Sequence, residues 1–294
     1  MSIIIGVMEE GLIYAIMALG LYITYKILDF PDLSVDGTFP MGAAVTAMLI
    51  LKGVHPALTL VLSFAAGLLA GCITGLIHVK LKVRDLLSGI IMMTALYSVN
   101  LRIAGKANLP IFSKETIFEN AFLESVVPAA LDPYLVSIIL FVIVLICKLL
   151  LDLFLKTRAG YLLRAVGVNE VLVTSLAKDK GMVKILGLAL ANGFVALAGC
   201  VYCQQKGFFE VSTGTGTMVI GLASVIIGTK LLKRFHSVKA TTAVIFGSIV
   251  YKACVSLAIA LGMAASDLKL ITAVLFLIIL VASNRKERKV KAHA

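Results

Sequence analysis

The sequence predicts an all-α, polytopic membrane protein with about eight to ten transmembrane segments, several of them short or broken. Hydrophobic residues make up 60% of the chain, charged residues only 15%, and the mean hydropathy is +1.04. This composition excludes an ordinary soluble domain. Because no long polar block interrupts the apolar segments, residues 1–294 are expected to form a single transmembrane domain.

The apolar segments follow one another with short polar breaks, at 11–28, 38–51, 56–79, 86–104, 133–151, 182–203, 216–229, 238–264 and 268–282. A helix needs about 20 apolar residues to cross the hydrocarbon core. The third, sixth and eighth segments reach that length easily. The second and seventh are too short, so we expect broken or tilted helices that neighbouring helices shield from lipid.

Lysine and arginine are distributed unevenly between alternate loops. If the C-terminal tail 285–291 lies in the cytoplasm, most of the 27 lysines and arginines fall in cytoplasmic loops. Positive residues favour that side of a membrane, so the sequence predicts an external N-terminus and a cytoplasmic loop at 156–181. The same bias accounts for most of the net charge of +11, and no nucleic-acid partner is predicted.

Two polar runs have a similar order of residue types. Residues 30–38 read Phe-Pro-Asp-Leu-Ser-Val-Asp-Gly-Thr, and residues 208–217 read Phe-Phe-Glu-Val-Ser-Thr-Gly-Thr-Gly-Thr. Each run follows a long apolar segment and precedes a short one, which is typical of an inverted repeat built around discontinuous helices. The pattern predicts a pseudo-repeat of 1–155 and 181–283. The alternative is that two polar turns draw on the same few turn residues.

Some residues inside the predicted spans need an explanation of their own. Gly67, Gly71 and Gly75 form a bare stripe, for which packing within the subunit is favoured over a dimer interface. Lys252 lies near the middle of the eighth segment, where an unpaired charge is costly. We expect it to face a cavity or a carboxylate, in a structural or a functional role. On the external side, residues 114–125 are compatible with a short amphipathic helix, although a solvated loop is the default.

Motifs for catalysis and ion coupling are absent from the sequence. It contains no nucleotide-binding P-loop, no zinc-protease motif and no nucleophile elbow. The apolar segments hold no chain of carboxylates that would relay protons or bind sodium. Cys200 and Cys203 have metal-ligand spacing but lack a second ligand pair, which favours packing over a metal or redox site. The chain is therefore expected to be no enzyme, to need no cofactor, and to draw any energy for transport from a partner.

The longest polar interruption on the predicted cytoplasmic side is 156–181. Within it, Tyr161, Leu162, Ala165 and Val166 have helical spacing, which predicts a short amphipathic helix. Such a helix can lie on lipid headgroups or fit a groove on a partner protein.

The same interruption carries a family resemblance. It resembles the cytoplasmic coupling loop of ABC importer permeases, in the family that includes branched-chain amino-acid and ribose permeases, through the order of Thr157, Gly160, Arg164, Ala165, Gly167 and Asn169. The likeness continues through Asn192 and the glycine-rich stretches at 214–217 and 221–228. The chain is most similar to compact Gram-positive permeases associated with aromatic amino-acid uptake. The usual Gly-Gly-x-Gly after the seventh span reads Ile-Gly-Thr-Lys at 227–230, which leaves the solute open.

The resemblance implies a bacterial plasma-membrane permease that dimerises with itself or with a paralogue. It implies two further kinds of partner: cytoplasmic ATP-binding subunits and an external solute-binding lipoprotein. The residues implied to couple to the ATPase are Gly160, Arg164, Ala165, Gly167, Asn169 and Glu170. The polar residues most able to line the translocation path are Ser34, Thr38, Asn100, Asn192, Ser212, Thr213, Thr217 and Lys252.

Other interpretations stay open on the sequence alone. Each polar residue of the candidate path could instead make an interhelical hydrogen bond. The favoured solute is an amino acid, aromatic or branched-chain, and a sugar or nucleoside is the alternative. The chain could also be an ATP-independent channel. A scaffold that binds membrane lipid through the 158–170 helix is less favoured, because that helix lacks the wide apolar face and bulky aromatics that strong surface binding needs.

Overall fold

The structure, a computed structural model, describes residues 2–120, 132–168, 179–232 and 238–261, with isolated positions between 270 and 281. These residues form an all-α membrane protein, as predicted. In chain order the helices are α1 (Ser2–Leu21), α2 (Val35–Leu51), α3 (Pro56–Val79), α4 (Asp85–Ala104), α5 (Asp132–Phe154), α6 (Arg158–Val168), α7 (Lys180–Lys206), α8 (Thr217–Leu231) and α9 (Ala240–Ala260). A π-helical segment, Tyr22–Ile27, extends α1.

Within the described part of the chain, seven helical segments are long and apolar enough to cross a membrane. They are α1 with its extension, α3, α4, α5, α7, α8 with the turn before it, and α9. As predicted, α2 is shorter, with 17 residues, and α8 proper has 15. Most residues of α2 are buried, so neighbouring helices shield it from lipid. The ninth predicted segment, 268–282, lies largely outside the described residues.

The bundle is built around α7, the most buried of the candidate spans. The Asp179 carboxylate caps its start by accepting hydrogen bonds from Gly181 N (2.8 Å) and Met182 N (3.4 Å). Gly207 ends it in the left-handed conformation, with φ of 74°. At 27 residues, α7 is about 40 Å long and spans the bundle. It packs against α1, α2 and α3.

The glycine stripe of α3 packs against α7, so the prediction of packing within the subunit is confirmed. A Cβ added at Gly67 would lie 2.3 Å from the carbonyl oxygen of Asn192. At Gly71 it would lie 2.2 Å from the carbonyl oxygen of Leu188. Glycine is therefore required for the two backbones to approach this closely.

Two short strands lie at the end of the bundle where α4 and α7 finish. β1 (Asn108–Pro110) pairs antiparallel with β2 (Phe208–Glu210). Residues 114–120 form bends and irregular backbone, so the loop that was the default there is confirmed over the helix that 114–125 could have formed; residues 121–125 lie outside the described residues. The backbone amides there bond to side chains instead: Ile117 N donates to Gln204 Oε1 (2.9 Å), and Phe118 N donates to the Thr116 hydroxyl (3.2 Å).

Candidate translocation path and coupling helix

A fully buried polar network joins α7 to the connection between α1 and α2. Asn192 Oδ1 accepts hydrogen bonds from the hydroxyls of Thr38 (2.7 Å) and Ser34 (3.2 Å). Asn192 Nδ2 donates to Asp32 Oδ2 (2.8 Å), and Ser34 N donates to Asp32 Oδ1 (2.9 Å). The network therefore brings together Ser34, Thr38 and Asn192, three of the predicted path residues. Because these side chains are 0% exposed, they hold elements together here rather than line an open surface.

Asp32 is the member of this network that the sequence analysis did not select, although it lies in the polar run 30–38. It lies in the connection between α1 and α2, outside the spans. Burial raises the pKa of its carboxyl, and hydrogen bonds from Ser34 and Asn192 lower it to a smaller extent. A buried carboxylate is stable only when it is hydrogen-bonded, so the Asn192 amide is needed to keep Asp32 in place.

A second carboxylate, Asp36, joins the two polar runs that the sequence analysis compared. Its Oδ1 accepts hydrogen bonds from Met218 N (2.8 Å) and the Thr217 hydroxyl (3.0 Å), and its Oδ2 accepts one from Gly216 N (2.9 Å). The amides at a helix N-terminus carry partial positive charge and favour an anion. Asp36, near the start of α2, therefore caps α8, and the starts of these two short helices meet.

The backbones of the two runs also touch. A Cβ added at Gly214 would lie 1.9 Å from the carbonyl oxygen of Asp36 and 2.6 Å from Pro40 Cδ. Proline has no N–H, so Pro40 leaves the Asp36 carbonyl without its usual helical donor. The close fit needs glycine at 214, and Gly216 has a φ of 88°, in the left-handed region that favours glycine.

A pocket of about 230 Å³ lies beside this junction, between α2, α4 and the turn before α8. Asn100 lines it and is buried: its Nδ2 donates to Gly37 O (3.0 Å), and its Oδ1 has no partner among the described residues. Tyr97 and Thr94, on the exposed side of α4, also line it. The remaining lining residues are Asp36, Gly37, Pro40, Met93, Val211 and Thr215.

Asn100 is the one predicted path residue that lines the pocket. The predicted residues of the run 208–217, which are Ser212, Thr213 and Thr217, do not line it. Ser212 bonds to Glu210 Oε1, and the Thr213 hydroxyl donates to Glu210 O (2.7 Å). Both hydroxyls therefore stabilise the turn Val211–Gly214. Thr215 does line the pocket and was not predicted, because the spacing of a loop residue does not indicate which way it faces.

Lys252 lies apart from the pocket and is paired with an acid, as the cost of a lone charge in a span led us to expect. Its Nζ is 3.1 Å from Glu10 Oε2 and 4.2 Å from the centre of the Tyr14 ring. Lys206 bonds the other carboxylate oxygen of Glu10, at 2.9 Å. These contacts link α1, α7 and α9. Glu10 is a charged residue at the start of an apolar segment, which was the available signal for this partner.

The short helix predicted in the cytoplasmic loop is present as α6, Arg158–Val168. Leu163 and Val166 are buried, while Tyr161 and Val168 are 61% and 88% exposed. Arg164 is exposed and Ala165 half-buried. The helix thus has one face packed on the bundle and one open face.

Two predicted coupling glycines contact this chain's own backbone. A Cβ added at Gly167 would lie 1.6 Å from the carbonyl oxygen of Ile27, and one at Gly160 would lie 2.5 Å from that of Phe154. They seat α6 against the ends of the extended α1 and of α5. Two other predicted coupling residues, Asn169 and Glu170, lie outside the described residues.

The family model for the permease component of branched-chain amino acid transport systems matches residues 3–283. This chain belongs to that permease family. The permease is 46% identical, over 97% of its length and 92% of the relative's, to the tyrosine transport system permease protein of Clostridioides difficile (strain R20291). It is 24% identical, over 99% of its length and 83% of the relative's, to the fructose import permease protein FruF of Bifidobacterium longum (strain NCC 2705).

The match covers the whole transmembrane domain, so the chain is the permease of an ABC-type transport system and a multi-pass membrane protein. A third relative, an uncharacterized protein of Rickettsia prowazekii (strain Madrid E), is 33% identical over 98% of the permease and 100% of the relative. No solved structure gives a significant match. Within the described residues there is no group of three or more His, Cys, Asp or Glu side chains that could hold a metal ion.

Proposed function

We propose that this permease imports an amino acid, driven by cytoplasmic ATP-binding subunits and supplied by an external solute-binding lipoprotein. The observation that carries the proposal is that α6 packs against α7 and against the start of the connection between α1 and α2, the two segments that the buried polar network joins. A Cβ added at Gly187 would lie 2.6 Å from Leu163 of α6 and 2.7 Å from Leu28. Leu28 precedes Asp32 by four residues in the non-helical connection between α1 and α2, and Gly187 precedes Asn192 by five residues in α7. A movement of α6 would therefore be transmitted to α7 and to the connection between α1 and α2.

The open face of α6 is the surface we assign to the ATP-binding subunits. Tyr161, Arg164 and Val168 follow one another at helical spacing and are exposed, so they offer an aromatic, a charge and an apolar group to a groove. Gly160, Ala165 and Gly167 act by holding the helix in its seat. Asn169 and Glu170 extend the same coupling loop.

The orientation we propose has 156–181 and the C-terminus in the cytoplasm, following the lysine and arginine distribution. Lys206 pairs with Glu10 and β1 with β2, so the span ends that carry them lie together, on the side that is external in this orientation. The pseudo-repeat of 1–155 and 181–283 is supported by the meeting of its two polar runs at Asp36.

A second copy of the chain is the partner we propose for the exposed face of α4. Tyr97 is 52% exposed and Thr94 is also exposed, although both lie within a candidate span. Polar groups on a span are expected to face a water-filled cavity or another helix rather than lipid. In a homodimer, two such pockets would line one path between the subunits.

Tyrosine is the solute we propose to test first, because the 46% identical relative is named as a tyrosine transport system permease protein. The more distant relative named as a fructose import permease makes a sugar the second candidate. The test is uptake into proteoliposomes that contain the permease, its ATP-binding subunits and its binding protein. We expect labelled tyrosine to accumulate only with ATP. Equal uptake by the permease alone would favour a channel, and ATP-driven uptake of fructose but not tyrosine would favour the sugar.

A further inference from the structure

Two of the residues that line the pocket, Asp36 and Asn100, have unused hydrogen-bond acceptor capacity. Because Asn100 Nδ2 donates to Gly37 O, the amide orientation is fixed and Oδ1 is the acceptor that has no partner among the described residues. Asp36 Oδ2 accepts one hydrogen bond, from Gly216 N, and a carboxylate oxygen can accept more than one. Asn100 Oδ1 and Asp36 Oδ2, on two residues that line the pocket, can thus each accept a further hydrogen bond.

The rest of the lining determines what kind of donor fits. Of the nine described residues that line the pocket, none is basic, so a carboxylate would meet no cation there. Pro40, Met93, Tyr97 and Val211 supply apolar surface. The volume, about 230 Å³, is below the range of drug-sized ligands and suits a small solute. A protonated amine on an aromatic or aliphatic body satisfies all of these conditions.

We propose that this pocket binds the ammonium group of the transported solute, with Asn100 Oδ1 and Asp36 Oδ2 as acceptors and Tyr97 against its apolar part. The proposal rests on the proposed function as an amino-acid importer. It adds that the permease itself recognises the amine and not the carboxylate. A buried acceptor without a donor is costly, and the solute would supply the donor that Asn100 lacks.

Three probes separate the two ends of an amino acid: L-tyrosine, tyramine, which lacks the carboxylate, and 3-(4-hydroxyphenyl)propionate, which lacks the amine. Their binding is measured by equilibrium dialysis on the permease assembled with its ATP-binding subunits in nanodiscs, without the binding protein. We expect tyramine to bind at least as tightly as tyrosine. The propionate should bind at least about tenfold more weakly, because a hydrogen bond to a charged group is lost.

Two variants test the assigned residues. Asn100→Leu removes the acceptor, and Tyr97→Leu removes an exposed side chain whose loss leaves the fold intact. Each should weaken tyramine binding at least about fivefold. The matched control is Tyr134→Leu, an exposed tyrosine on α5 away from the pocket, which should bind tyramine as the wild type does.

The inference is overturned if the wild type binds no tyramine, if the three probes bind equally, or if both variants bind tyramine like the wild type. ATP-driven tyrosine uptake, measured on the same wild-type complex, separates this failure from that of the proposed function. Uptake with equal binding of the probes contradicts only amine recognition. Absence of ATP-driven tyrosine uptake contradicts the proposed function with tyrosine as its solute.

Discussion

Replacing Gly167 with alanine should unseat α6 from the end of the extended α1. The added Cβ would lie 1.6 Å from the carbonyl oxygen of Ile27, whereas real Cβ contacts essentially never fall below 3.0 Å. The helix must therefore move by about 1.4 Å, since a backbone carbonyl cannot rotate away as a side chain can. Overpacking of this kind costs about 1–3 kcal/mol. That cost corresponds to about a 5- to 150-fold shift between the seated and displaced positions of α6.

The assay is solute-stimulated ATP hydrolysis by the reconstituted complex, with membrane insertion checked in parallel. We expect Gly167→Ala to insert normally and to lose at least about four-fifths of the stimulation. Gly6→Ala is the matched control, because a Cβ at Gly6 meets nothing within 4 Å. Wild-type stimulation in the Gly167 variant would refute the reasoning that the position of α6 controls coupling.

Three further predictions follow from the charges of the described residues. Glu10→Gln should lower the melting temperature more than Lys252→Met, because it leaves the buried lysine without a carboxylate. Equal melting temperatures would contradict the cost assigned to the unpaired lysine. Asp36→Ala should cost at least about 1 kcal/mol, the usual value of a lost helix cap, and should abolish uptake; full uptake would remove Asp36 from the path. A cysteine at Arg164 should react with an impermeant thiol reagent only from the cytoplasm, and one at Glu119 only from outside. The reverse pattern would invert the topology.

The sequence predicted the spans well because the bilayer requires long apolar helices, and this requirement leaves a strong signal in composition. The segment 56–79 matches α3 residue for residue. The short second segment was predicted correctly, whereas the seventh reaches spanning length together with the turn before α8. The stretch 114–120 does not form the helix that its weak periodicity allowed, because Ile117 N donates to the Gln204 amide oxygen and Phe118 N to the Thr116 hydroxyl.

The candidate site was predictable in part. Polarity within a span identified Asn192 and Asn100. Asn192 lies at the centre of the buried network, and Asn100 lines the pocket. Asp32 and Asp36 were visible in the sequence, but only the fold reveals that Asp32 bonds to Asn192 of α7 and that Asp36 meets the start of α8. Gly167 was predicted to couple to the ATPase, and in the structure it packs against the Ile27 carbonyl of this chain. Periodicity does not state which neighbour a helix face meets.

The most direct test of ATP coupling through α6 is solute-stimulated ATP hydrolysis by the complex that carries Tyr161→Asp. Tyr161 is 61% exposed, so the permease should insert and keep its melting temperature. An aspartate at 161 would remove the exposed aromatic ring that we assign to the groove and would bring a hydrated charge into the contact with the ATP-binding subunit. We expect the variant to lose co-purification with that subunit and at least about nine-tenths of the stimulation. Retention of both at the wild-type level would contradict the assignment of α6 as the coupling helix.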